Sequence, residues 1–321
     1  MAIRSAYNAG ISPSENSLRL QSWIQLLSTH LVVALVALVA VGGATRVMQA
    51  GLACPDWPLC YGTLLPGRQM NVQVFLEWFH RLDAFLVGLA LLVLLALSLM
   101  GRRSLPAWLP WAASLALLLV AVQGGLGALT VLQLLAAPTV TAHLLTALLL
   151  VLLMAAIAEA LLGSTPTPEI PLPIWWIPLV GGSALLLFGQ CALGGSMATR
   201  WATSLCLEGG EACRWLLLHR LGAWPAAVAM VLPACASLAL PKGHRRLGRL
   251  ALGPALLVPI QVLLGVLTLR LQLDQPAVTV AHQVVAAVLV AFVGAIGGRT
   301  LVCLFPARAV PVPPSLEMAH G

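Results

Sequence analysis

Eight apolar runs, each long enough to cross a bilayer, leave this chain few ways to fold. They lie at about 23–45, 78–100, 107–130, 139–162, 174–197, 215–240, 249–271 and 278–303. Crossing about 30 Å of hydrocarbon takes roughly 20 apolar residues. In lipid every backbone N–H and C=O must be paired inside the segment, so runs of this length are helices. Only 8% of the residues are charged and 60% are hydrophobic, against about 25% charged in a soluble domain. The expected fold class is an all-α integral membrane protein with eight transmembrane helices. Its net charge of +7 then reports topology and not nucleic-acid binding. The polar first twenty residues predict no cleavable signal peptide.

An even number of spans puts both termini on one side. That side carries Arg4, Arg19, Arg102, Arg103, Lys242, Arg245, Arg246, Arg249, Arg299 and Arg308. The opposite loops carry chiefly Arg46, Arg68, Arg200 and Arg270. The excess of positive charge predicts cytoplasmic termini and an extracytoplasmic 46–77 loop.

The chain repeats itself. Gln123 to Thr130 resembles Gln261 to Thr268, and Pro138 to His143 resembles Pro276 to His282 with one insertion. Ala44-Thr45-Arg46 ends span 1 as Ala198-Thr199-Arg200 ends span 5. The expected organisation is two tandem four-helix bundles of like orientation, related by an axis along the membrane normal. The first half is 23–164 and the second 174–304, joined by a Pro-rich cytoplasmic linker at 165–173. Residues 1–22 and 305–321 form cytoplasmic tails.

Four histidines follow the repeat. His80 and His143 are 63 residues apart, as are His219 and His282. Each stands at the outer end of an even-numbered span. Two imidazoles facing each other in a bundle core can supply both axial ligands of a heme iron. A lone histidine in such a place more often satisfies a buried polar partner, but four at repeat-equivalent positions favour ligation. Zinc wants three or four clustered ligands, and each half offers two histidines. His30, His244 and His320 have no repeat partner and receive no role.

Charged residues flank these histidines. Arg81 and Arg220 directly follow His80 and His219, while Arg46 and Arg200 end the odd spans at the same surface. Arginine pairs with carboxylates in a bidentate manner, so all four are candidates for heme propionates. Snorkelling to lipid phosphate is the plainer alternative. Glu77 stands one helical turn before His80, where the second half has Leu216. An acid at the mouth of a span is costly and usually functional, although pairing with Arg81 would also explain it. A carboxylate there can move protons or stabilise a developing cation, which makes Glu77 the candidate catalytic residue. Asp83 could assist from the turn after His80, and Asp56 could approach from the loop.

Two close cysteine pairs sit in matching outer loops, Cys54 with Cys60 and Cys206 with Cys213. Such pairs on the oxidising side of a membrane form disulfides, and a redox-active pair is the alternative. Cys191, Cys235 and Cys303 have no close partner and read as core residues.

Together these residues resemble the heme A synthase family, in its bacterial type with paired loop cysteines. The carriers are Gly51 to Cys60, Glu77-x-x-His80-Arg81, His143, Cys206 with Cys213, His219-Arg220 and His282. The resemblance covers essentially the whole chain. It implies a multi-pass enzyme of the bacterial inner membrane that oxidises a methyl group of heme O to a formyl group, by successive hydroxylation and loss of water. The heme A so made serves terminal oxidases. In that reading His80 and His143 hold the substrate heme O, and His219 and His282 hold a resident heme b. Implied partners are a heme O synthase and an electron acceptor, and the lipid bilayer surrounds the chain. An oligomer is compatible with all of this.

Two other functions fit parts of the pattern. A two-heme b-type cytochrome carrying electrons from quinol accounts for the symmetric histidines, but not for Glu77 or the long first loop. A transporter accounts only for the tandem repeat.

Overall fold

The computed structural model describes residues 15–162, 171–198 and 211–305. Among the described residues, eight helices are long and apolar enough to cross a membrane. They are α1 (Glu15–Val47), α2 (Val72–Met100), α3 (Leu109–Leu132), α4 (Ala137–Leu161), α5 (Trp176–Ala198), α6 (Glu211–Ala236), α7 (Arg245–Arg270) and α8 (Pro276–Leu304). Two short 3-10 turns lie between α6 and α7. Among the described residues there is no strand, only an isolated bridge from Cys60 to Thr63. Most of both tails and residues 165–170 of the linker lie outside the described residues, as do Arg200, Cys206 and His320.

Local chemistry sets several boundaries. The Asn71 side chain accepts from Val74 N at 3.0 Å and caps α2. This cap starts α2 at Val72, six residues ahead of the apolar run, so Glu77 and His80 lie inside the helix and not at its first residues. Prolines occupy the first turns of α3, α4 and α8, where a missing N–H costs nothing. The repeat extends to backbone conformation. The α3–α4 turn holds Leu134 and Leu135 at φ of 49° and 61°, and the α7–α8 turn holds Gln272 and Leu273 at 51° and 65°. In each turn the second residue returns its N–H to the helix before it, Leu135 to Thr130 O and Leu273 to Thr268 O. Side chains other than glycine rarely adopt this left-handed region, yet both halves adopt it at matching positions.

Within the first half α1 packs on α2, α2 on α3, α3 on α4, and α4 back on α1. The second half closes the same way through α5, α6, α7 and α8. The most extensive packing in the molecule joins the halves, between α4 and α8. Close approach there depends on glycine. A Cβ at Gly294 would stand 2.3 Å from Leu152 O, and one at Gly298 would stand 2.2 Å from Ala156 O. Small residues of this kind let helix backbones meet where lipid provides no hydrophobic drive. Beside this seam Arg246 on α7 makes a bidentate pair with buried Glu159 on α4, Nη2 to Oε2 at 2.8 Å. The large side chains left on the outside, such as Trp111, Leu185 and Trp224, are 76–80% exposed and would face lipid.

The seam yields an expected result with an internal control. Gly298→Ala forces a methyl group into a carbonyl, and overpacking of this kind destabilises by about 1–3 kcal/mol. A Cβ at the neighbouring Gly297 would meet nothing within 4 Å, so Gly297→Ala gains up to about 1 kcal/mol of helix propensity. Thermal unfolding of the two variants in detergent, compared with the parent chain, checks the difference in sign.

Candidate functional site

Each histidine is set by two helices. His80 projects from α2 and packs its ring on Gly42 of α1, whose added Cβ would lie 2.9 Å from Cε1. His143 of α4 packs on Gly127 of α3, at 3.3 Å by the same measure. In the second half His219 of α6 rests on Gly194 of α5, and His282 of α8 rests on Gly265 of α7, each at 3.0 Å. All four rings therefore lie in shallow cradles that any larger residue would fill.

The rings face each other in the expected pairs. His80 and His143 have centres 6.4 Å apart with planes at 74°. His219 and His282 have centres 6.5 Å apart with planes at 83°. An imidazole nitrogen binds a first-row metal ion at about 2 Å and stands about 1.2 Å from its own ring centre, so two rings on opposite sides of one ion have centres roughly 6.4 Å apart. Both pairs have the centre-to-centre spacing that a single iron held between them would need. Among the described residues no group of three or more His, Cys, Asp or Glu is placed to hold a metal ion, as a zinc cage would require.

The groups behind the rings differ between the halves. His282 Nδ1 lies 3.1 Å from Gln261 O, and the Gln190 amide lies 3.0 Å from His219 Nδ1. Gln190 Nε2 also donates to His219 O at 2.8 Å. By contrast, Nδ1 of His80 and Nδ1 of His143 are buried without a well-formed hydrogen bond. Neither hydropathy nor the histidine spacing points to Gln190 or to the four glycine cradles. Three of the four cradles share a signal, Gln-x-x-x-Gly, one turn apart on one helix face, at 123–127, 190–194 and 261–265; Gly42 lacks it, with Leu38 one turn before.

Glu77 is the centre of a second cluster. It is buried and accepts from Cys54 N at 2.8 Å and from Arg81 Nη2 at 2.5 Å. Arg81 Nη1 donates to Asp56 O and to Leu59 O. Trp78 Nε1 donates to Leu64 O at 2.7 Å. Three residues of one helical turn thus clamp the loop that carries the Cys54–Cys60 disulfide. Arg81 is held by the loop, so a propionate would have to share it. The Asp56 carboxylate accepts from Tyr61 N and Gly62 N and stabilises its own turn. Arg46 lies in the last turn of α1, and Arg220 follows His219 on α6. Cys191, Cys235 and Cys303 are free thiols.

Residues 25–293 match the COX15-CtaA family, described as cytochrome oxidase assembly protein. The chain belongs to this family. Among curated relatives, the heme A synthase of Sphingopyxis alaskensis is 27% identical over an alignment covering 90% of this chain and 95% of the relative. That of Rhizorhabdus wittichii is 27% identical, covering 87% and 93%. That of Shewanella oneidensis is 30% identical over a stretch covering 56% of this chain and 58% of the relative. The COX15-CtaA match spans every residue that is a candidate histidine or its cradle.

The loop cluster gives a further expected result. Non-reducing mass mapping finds Cys54 linked to Cys60. Opening so short a loop removes about 2–2.5 kcal/mol in the chain-entropy model, so Cys54→Ser/Cys60→Ser should still fold and keep whatever heme the parent chain holds on purification. Heme A output should fall several-fold, because the Cys54 amide is then no longer held against Glu77. Equal losses of bound heme and output would assign the disulfide to folding alone.

Proposed function

We propose that this chain oxidises the methyl group of heme O to the formyl group of heme A, the activity for which its curated relatives are named. It would act as an oxidoreductase on a C–H bond, by successive hydroxylation and loss of water, and would supply terminal oxidases. The single observation that carries the reading is an asymmetry inside a symmetric frame. Two equivalent histidine pairs each have the spacing that one iron would need, but only the first has a carboxylate one turn away, Glu77, where the second has Leu216.

The division of labour follows from that asymmetry. His80 and His143 would hold the substrate heme O, and His219 and His282 would hold heme b. When bound, heme b supplies one-electron transfer to or from the oxidised centre. Glu77, fixed by Arg81 and the Cys54 amide, would stabilise positive charge developing at the oxidised carbon and accept a released proton. Because its two partners hold it rigidly, no reorganisation is needed when that charge appears. Arg46, Arg200 and Arg220 remain candidates for propionates, with Arg81 shared with the loop. The site would lie on the extracytoplasmic face of a bacterial inner membrane, with both termini in the cytoplasm. A heme O synthase and an electron acceptor would be its functional partners.

Heme extraction tests this reading. Membranes of a host that makes heme O but not heme A should contain heme A only when the chain is expressed. Two identical b hemes in the purified protein, with no heme O or A, would instead support an electron-carrying cytochrome.

A further inference from the structure

The two histidine sites share one wall and differ in the other. The wall made by α3 and α4 repeats in α7 and α8: Gln123, Gly127, Thr130 and His143 stand where Gln261, Gly265, Thr268 and His282 stand. The wall made by α1 and α2 does not repeat in α5 and α6. One turn before the cradling glycine, α1 has Leu38 where α5 has Gln190. One turn after the histidine, α2 has Asp83 where α6 has Gly222. In the second half these two positions meet. A Cβ at Gly222 would lie 2.6 Å from Gln190 Oε1, so the Gln190 amide fills the corner between α5 and α6. The corner between α1 and α2 has an apolar chain and a carboxylate instead.

Asp83 is half-buried inside a membrane span and, among the described residues, makes no hydrogen bond and no ion pair. An acid in such a place costs free energy unless something uses it. Arg81 does not answer it, because that guanidinium is taken by Glu77 and by the loop carbonyls. Asp83 also ends a ridge. Phe75, Phe79 and Asp83 follow one another at i+4 spacing on α2, which makes them one continuous strip. The two phenyl rings stack with centres 5.6 Å apart and are 45% and 37% exposed. The matching strip on α6 reads Arg214, Leu218, Gly222. Only the first half therefore has a hydrogen-bond acceptor beside the histidine with an apolar strip leading away from it. Heme O differs from heme b in the same sense. At one corner of its porphyrin a vinyl group is replaced by a hydroxyl-bearing carbon that carries a long isoprenoid chain, so a donor stands at the root of an apolar tail.

We propose that the corner between α1 and α2 is the subsite for the hydroxyalkyl isoprenoid substituent of the substrate heme. The hydroxyl donates to the Asp83 carboxylate, and the chain runs along Leu38, Phe79 and Phe75. It rests on the assignment of heme O to the first half. In the second half the Gln190 amide occupies the same corner and shuts that substituent out. Leu38 and Asp83 on one side, Gln190 and Gly222 on the other, thus decide which heme each half accepts.

The test titrates the purified full-length protein, made in a host without heme O, with added heme O and with added heme b. Binding is read from the Soret band, and His143→Ala gives the background from outside the first site. The parent chain should bind heme O about tenfold or more tighter than added heme b, as one hydrogen bond to a carboxylate would give. Leu38→Gln/Asp83→Gly, which copies Gln190 and Gly222 into the first half, should weaken heme O about tenfold and leave added heme b unchanged. Asp83→Asn keeps an acceptor oxygen and should keep most of the preference. Unchanged heme O affinity in a folded transplant variant would overturn the proposal. Equal weakening of both hemes would overturn it too, since the corner would then only shape the site. If the transplant fails to fold, Asp83→Leu decides, because it takes a costly polar group out of the span: an unchanged preference for heme O overturns the proposal. Heme O binding that survives His143→Ala would overturn the substrate assignment, and the subsite with it. Binding that is lost in His143→Ala but indifferent to Asp83→Leu would overturn the subsite alone.

Discussion

Glu77→Gln is expected to leave the fold and heme b in place and to lower heme A formation by about 10²–10³-fold, the usual effect of removing one preorganised electrostatic group. Glutamine keeps the shape of the side chain and one carbonyl oxygen, so it can still accept from Cys54 N, the contact that holds the loop. It loses the charge that pairs with Arg81 and that would stabilise a cation at the oxidised carbon. Heme O or a hydroxymethyl intermediate should accumulate, as separated by chromatography of extracted hemes. Glu77→Ala should do worse, because it also frees the loop. A normal heme A yield from Glu77→Gln would reduce Glu77 to a loop anchor. Loss of heme b together with output would make it a folding residue.

His282→Ala and His219→Ala are expected to strip heme b from the purified protein almost completely. Each removes one of two rings whose spacing fits one iron, and a heme with one remaining axial ligand in this site is released. Stability should fall as well, since a ligand bound only to the folded state stabilises that state by mass action. The visible spectrum and the unfolding temperature check both effects. A retained heme b spectrum in either variant would break the second-half assignment.

Much of this is legible in the sequence because membrane folding leaves little choice. Apolar length fixes the spans, and a 63-residue spacing repeated in both halves fixes the histidine pairs. The start of α2 is not where hydropathy puts it, because its first turn is amphipathic and is set by the Asn71 cap. The role of Glu77 is only half visible. Its pairing with Arg81 follows from helical spacing, but its bond to Cys54 N crosses 23 residues of irregular loop. The turn that Asp56 closes, by accepting from Tyr61 N and Gly62 N, is not legible from its place in the loop. Gln190 is hidden in the sequence because its partner lies on the next helix, and only the packing of α5 on α6 brings it to His219. The second loop pair, Cys206 with Cys213, rests on the sequence for its pairing, since Cys206 lies outside the described residues.

If the two histidine pairs serve different hemes, removing one ligand of the first pair should empty that site alone. The heme content of purified His143→Ala, expressed in a host that makes heme O, reads this out. Heme b should stay at the level of the parent chain, with heme O and heme A both absent. Loss of heme b with heme O or A retained would contradict the division between the halves, because the substrate would then belong to the other one.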